Sequence, residues 1–77
     1  MKIVSFNELI ELNRNFEEKS VGLKVHLRDA CGGQSFWIEK LTTDCDVDLF
    51  YSELENYFKN KNLSVEYFED KMSFRII

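Results

Sequence analysis

Leu23-Lys24-Val25-His26-Leu27-Arg28 and Ser35-Phe36-Trp37-Ile38-Glu39 decide the fold. In the first run Leu23, Val25 and Leu27 alternate with Lys24, His26 and Arg28; in the second Phe36 and Ile38 alternate with Trp37 and Glu39. A period of two belongs to a strand with one face buried. Gly32-Gly33 separates the runs, where the chain must reverse. Folding the segment about Cys31-Gly32 sets Leu27 opposite Phe36 and Val25 opposite Ile38 on one face. On the other face Lys24 meets Glu39, an opposite-charge pair. The pattern predicts a hairpin of strands Val21 to Asp29 and Ser35 to Leu41, with its tip at Ala30 to Gln34. A register two residues longer keeps the same faces, so the tip geometry stays open.

On the N-terminal side, Ser5 and Glu8 have the spacing of a capping box, and Val4 and Leu9 that of a hydrophobic staple. Phe6, Leu9, Ile10, Leu12 and Phe16 then predict one apolar helix face through about Glu18, and Ile3-Val4 a short edge strand before it. On the C-terminal side, Thr42 to Asp46 reads as a turn. Asp44, Asp46 and Asp48 crowd the start of a second helix, where carboxylates suit the cap and the dipole. Val47, Phe50, Tyr51, Leu54 and Phe58 form its stripe; Lys59 and Lys61 favour its end, and Asn60 or Asn62 can stop it. Leu63, Val65 and Tyr67 alternate with Ser64, Glu66 and Phe68. A turn at Asp70-Lys71 would pair Tyr67 with Phe74, Val65 with Ile76 and Glu66 with Arg75.

The order is helix, hairpin, helix, hairpin. Two amphipathic helices need an apolar surface, and four half-apolar strands supply one. The expectation is an α+β domain, a four-stranded antiparallel sheet with both helices on one face. The halves also match: Glu11, Leu12, Phe16 and Lys19 correspond to Glu53, Leu54, Phe58 and Lys61, and Leu23 and Val25 to Leu63 and Val65 after a two-residue slip.

With 77 residues, positions 1–77 make a single domain. Aromatic residues are 14% of the chain, enough to give a small core much of its area. A net charge of -4 disfavours nucleic acid and anionic membranes as partners. No apolar run nears the ~20 residues that span a bilayer, and Ile3-Val4 gives way to polar residues at Ser5, unlike a signal peptide. The expected compartment is the cytoplasm, with both cysteines reduced.

Chemistry points first to Cys31. Gly32 and Gly33 beside it would leave the sulfur uncovered and let a backbone approach a ligand. Arg28 favours a thiolate and Asp29 opposes it. The plainer reading makes Cys31 a small residue at a glycine turn. Cys45 precedes the second helix, whose N-terminus would lower a thiol pKa while Asp44, Asp46 and Asp48 push the other way. A Cys31–Cys45 disulfide fails on distance: the returning strand carries the chain ~26 Å away, four residues return at most ~14 Å, and bridged Cα atoms must lie within ~7 Å. His26, the single histidine, is some ~16 Å from Cys31 along one strand, so the two cannot share a metal within a monomer. No motif for zinc, phosphate or a catalytic triad is present, no nucleophile has a visible base, and the chain reads as a non-enzyme.

The second candidate is the outer sheet face, with Lys24, His26, Arg28, Trp37, Phe68, Arg75 and Ile77. Aromatic and basic residues on an open sheet can stack single-stranded nucleic acid. Glu39, Glu66 and the net charge weigh against that. A protein partner or self-association through His26, Arg28, Trp37 and Phe68 is the alternative, and incidental exposure the plainest.

Gly22 to Arg28, a cysteine before glycine, then Gln34-Ser35-Phe36-Trp37-Ile38-Glu39 resembles the first characteristic stretch of the A-type iron–sulfur carriers, the HesB/IscA-like family. Glu53 to Tyr57, Leu63 to Tyr67 and Phe74-Arg75-Ile76 resemble short HesB-like proteins more loosely. Arg28-Asp29-Ala30-Cys31 is similar to a string that labels a small bacterial group. The resemblance implies iron, an iron–sulfur cluster or a thiol partner bound at Cys31, with Gly32 and Gly33 beside it. The Cys-x-Cys pair of those carriers has no counterpart among the 77 residues, so a homodimer would have to complete the ligand set.

Overall fold

In the computed structural model, which describes residues 4–30 and 33–77, the elements run α1 (Phe6–Glu18), β1 (Leu23–Ala30), β2 (Gly33–Lys40), α2 (Val47–Lys59), β3 (Val65–Tyr67) and β4 (Ser73–Ile76). The strands form one antiparallel sheet in the order β1-β2-β4-β3, so the hairpins join through their second strands. Both expected registers hold: Val25 pairs with Ile38 and Leu27 with Phe36, Val65 with Ile76 and Tyr67 with Phe74. Strand parity sends Leu23, Val25, Phe36, Ile38, Phe74 and Ile76 to one face, where all are buried with Leu9, Leu12, Phe16, Phe50, Leu54 and Phe58 of the helices. Phe36 and Phe74 stack across the central strand pair with centroids 5.2 Å apart, and Phe16 meets Phe50 at 4.6 Å beneath the helices.

Local signals set the helix ends. Ser5 and Glu8 form the reciprocal capping box, and Asp46 accepts from the Leu49 N–H at 3.1 Å. Ser5 donates its N–H to the Glu8 carboxylate, which holds that carboxyl below its ordinary pKa. Both helices close in a left-handed turn: Ser20 at φ 54 with Val21 N–H donating to Phe16 C=O, and Asn62 at φ 61 with Leu63 N–H donating to Phe58 C=O. Two residues then lead into each strand, Val21-Gly22 into β1 and Leu63-Ser64 into β3. A Cβ on Gly22, at φ +78, would lie 2.7 Å from Thr42 Oγ1 and 3.2 Å from Cys45 Cα, so the backbone segments meet there because the side chain is missing.

The helices are clamped by polar contacts. Lys19 pairs with Glu53 and lowers its pKa. Tyr57 donates to Glu11 at 3.0 Å, and Lys61 lies 3.5 Å from Glu8. Tyr67 donates to Glu55 at 2.7 Å. Burial, reinforced by those carboxylates, pushes the phenols of Tyr57 and Tyr67 well above their ordinary value.

Five expectations need correction. Phe6 and Ile10 are 71% and 54% exposed, because β1 is an edge strand and that flank of α1 overhangs it. Val21 ends a helix cap instead of opening a strand, and β3 is shorter than its alternation suggested. Ile3 lies outside the described residues, and Val4 is not in a strand; its N–H and C=O are bound by the Gln34 side chain at 2.8 and 3.0 Å. Asn13 does the same for the β1 edge, accepting from Val25 N–H and donating to Val25 C=O, both at 2.9 Å. Each carboxamide replaces a missing neighbouring strand. Lys24 does sit opposite Glu39, but the carboxylate turns diagonally to His26.

Candidate interaction face

The sheet face away from the helices is not covered by any described element. Its residues fall in rows set by the register. One row runs His26, Trp37, Ser73, Phe68: His26 and Trp37 are partners, Trp37 and Ser73 are partners, and Phe68 N–H donates to Ser73 C=O at 2.9 Å. The next row holds Arg28 opposite Ser35, and Arg75 opposite Glu66.

Alternation puts Trp37 here because Phe36 and Ile38 take the core. Its indole stacks on the His26 imidazole, centroids 4.2 Å apart and planes 16° from parallel. His26 Nε2 lies 2.6 Å from Glu39 Oε1, so Glu39, His26 and Trp37 form one connected group across β1 and β2. Both rings are half-buried while Phe68 is 42% exposed. Glu66 is engaged by Arg75. Lys24 and Arg28 have no carboxylate partner among the described residues; Arg28 contributes its C=O to a bond from Ser35 Oγ at 3.3 Å.

Of the residues singled out from sequence, the structure joins His26 and Trp37 directly and sets Arg28 and Phe68 on the same face, on opposite sides of Trp37. Cys31 and Gly32, on which the iron, cluster and thiol-partner expectations rest, lie outside the described residues. Gly33 opens β2 opposite Ala30 at φ 145. Cys45 is half-buried beside Gly22, at the end of β1 remote from Ala30. Among the described residues no group of three His, Cys, Asp or Glu side chains could hold a metal ion, and no helix is long and apolar enough to cross a membrane. Sequence reasoning missed Glu39 as the partner of His26 and Ser73 as the small residue between two aromatics; strand parity carried the signal for both.

No family model, curated protein or solved structure matches this chain.

Proposed function

We propose that this domain is a non-enzymatic protein-interaction module that docks a partner on the open face of its sheet. The observation that carries the reading is the Glu39–His26–Trp37 group, an ordered aromatic pair in the middle of an uncovered sheet face. A tryptophan held in one rotamer by a stacked neighbour loses little entropy on binding, and tryptophan is a favoured interface anchor. Arg28 beside it supplies a second anchor type, one with no carboxylate partner among the described residues. The test is to pan a random-peptide display library on the folded domain with counter-selection on Trp37→Ala. Enriched peptides should bind wild type and shift the Trp37 indole resonance. Failure to enrich any Trp37-dependent peptide would count against the docking face.

A further inference from the structure

Three features of the open face point to one ligand chemistry. The first is a gap. Trp37 leans on His26, toward β1, and on its other side stands Ser73, followed by Phe68. Two strand spacings separate the Trp37 and Phe68 backbones, about 9.6 Å. Ring pairs prefer centroid separations of about 4.5–7 Å, so a single ligand ring placed over Ser73 would lie at such a separation from both Trp37 and Phe68. The second is spacing. Along each strand the next row on this face lies about 6.7 Å away and brings Arg28, Ser35, Arg75 and Glu66, whose carboxylate Arg75 already holds. Residues i and i+2 of an extended peptide share that spacing. The third is charge. The chain carries a net charge of -4, yet Lys24, Arg28 and Arg75 outnumber Glu39 and Glu66 here, and both carboxylates are engaged by His26 and Arg75. Half of the acidic residues lie on the helices, with Glu8, Glu11, Glu17 and Glu18 in α1 and Asp48, Glu53 and Glu55 in α2. An acidic ligand is therefore repelled from the helical side and accepted on the sheet.

We infer that the partner of the open face is an extended acidic peptide segment that inserts one aromatic side chain between Trp37 and Phe68 and sets a carboxylate two residues away toward Arg28 and Arg75. This rests on the docking reading above. A nucleic acid suits the face less well, since among the described residues only Lys24 and Arg28 are cations on it without an ion-pair partner and a phosphate chain needs several.

The test is a heteronuclear NMR titration with synthetic probes. The first is a short Gly/Ser-spaced peptide with a central Tyr and Glu two residues to either side. Parallel probes carry Lys for Glu, or Ser for Tyr, and a short oligouridine stands for nucleic acid. The Tyr/Glu peptide should shift the Trp37 indole N–H and the amides of Ser35, Ser73 and Arg75. Charge reversal should weaken binding about tenfold, and Arg28→Gln about threefold. Ser73→Phe occupies the position proposed for the ligand ring while leaving Trp37, Phe68, Arg28 and Arg75 in place, and should abolish binding while the core stays folded; it stands in if Trp37→Ala unfolds. Equal or tighter binding of the Lys peptide would overturn the inference, and tighter oligouridine binding would replace it with a nucleic-acid face. Trp37-dependent peptides from panning that lack an acidic–aromatic pattern would overturn the ligand chemistry but keep the docking face. No Trp37-dependent ligand of any kind would remove both.

Discussion

Asn13 makes the sharpest stability prediction, because one side chain satisfies both outward groups of an edge-strand residue. Asn13→Ala removes two hydrogen bonds of 2.9 Å to the backbone of Val25. Each is worth a net of about 0.5–1.5 kcal/mol, which gives a loss of roughly 1–3 kcal/mol. Alanine is the better helix former in the middle of α1 and returns up to about 0.7 kcal/mol. The expected cost is about 1.5 kcal/mol, or a fall in Tm of some 6–12 °C for a domain of this size. Asn13→Asp sharpens the test. Its carboxylate can still accept from Val25 N–H but faces the Val25 C=O without a donor, so it should cost at least as much near neutral pH and recover in part when protonated. Urea and thermal melts of both variants, with exposed mid-helix Asn56→Ala as control, measure the effect. A loss below about 0.5 kcal/mol in Asn13→Ala would show that the edge of β1 does not depend on this amide.

Trp37→Ala should cost only about 1–2 kcal/mol, since the ring is half-buried and loses mainly its stack on His26, whereas Phe74→Ala, at 0% exposure, should cost about 3–5 kcal/mol; equal losses in chemical denaturation would mean that Trp37 belongs to the core. Folding raises the phenol pKa of Tyr51, Tyr57 and Tyr67, so this contribution is complete below about pH 10 and is lost as pH rises beyond it. Absorbance at the phenolate band should therefore rise together with loss of circular dichroism, and a phenolate seen in the folded protein near pH 10 would contradict it. The pKa values of Glu8 and Glu53 are depressed instead, so their contribution is present above about pH 4.3 and fades as pH falls through the folded-state values; replacing both by Gln should flatten the acid limb of the Tm profile. Anaerobic titration with iron and sulfide should yield no chromophore at one centre per monomer, and one that appears only with dimer and vanishes in Cys31→Ser would support the ligand role that the iron–sulfur carrier resemblance implies.

Both hairpin face assignments were legible because each alternation leaves one face that buries most of the aliphatic side chains, while the register of the first hairpin was fixed only to within a two-residue shift that keeps those faces. Asn62 was among the expected stops; Ser20 was not, since serine seldom takes the left-handed conformation that ends α1. Strand order was not legible. Nothing in either hairpin's pattern says that β2 and β4, rather than β1 and β3, meet at the centre. The misplacement of Phe6 and Ile10 follows from that gap, because helical periodicity identifies an apolar stripe but not where the sheet beneath it ends. At the site, parity alone placed Trp37 outward. The Glu39–His26 contact was hidden, because a rule of direct opposition assigns Glu39 to Lys24, and only three-dimensional geometry shows the carboxylate crossing the diagonal.

The two halves separate what folding requires from what it does not. Their strand order reads the same from either edge, with Phe36 and Phe74 stacked at the centre. On the helix side, equivalent cross-strand pairs are nearly interchangeable: Val25 with Ile38 corresponds to Val65 with Ile76, and Leu27 with Phe36 to Tyr67 with Phe74. On the open side the same correspondence sets His26 with Trp37 against Glu66 with Arg75. The second pair is what solubility alone would favour, an exposed ion pair worth at most about 1 kcal/mol. The first places an indole where the core gains nothing from it and where exposed aromatic surface invites association. Packing explains why the helix-side pairs are alike, but it does not dictate the open pairs. The docking role proposed above accounts for the divergence. It also makes the face asymmetric, with the stacked pair toward β1 and the ion pair toward β3, so a ligand lying across it meets a direction as well as a surface.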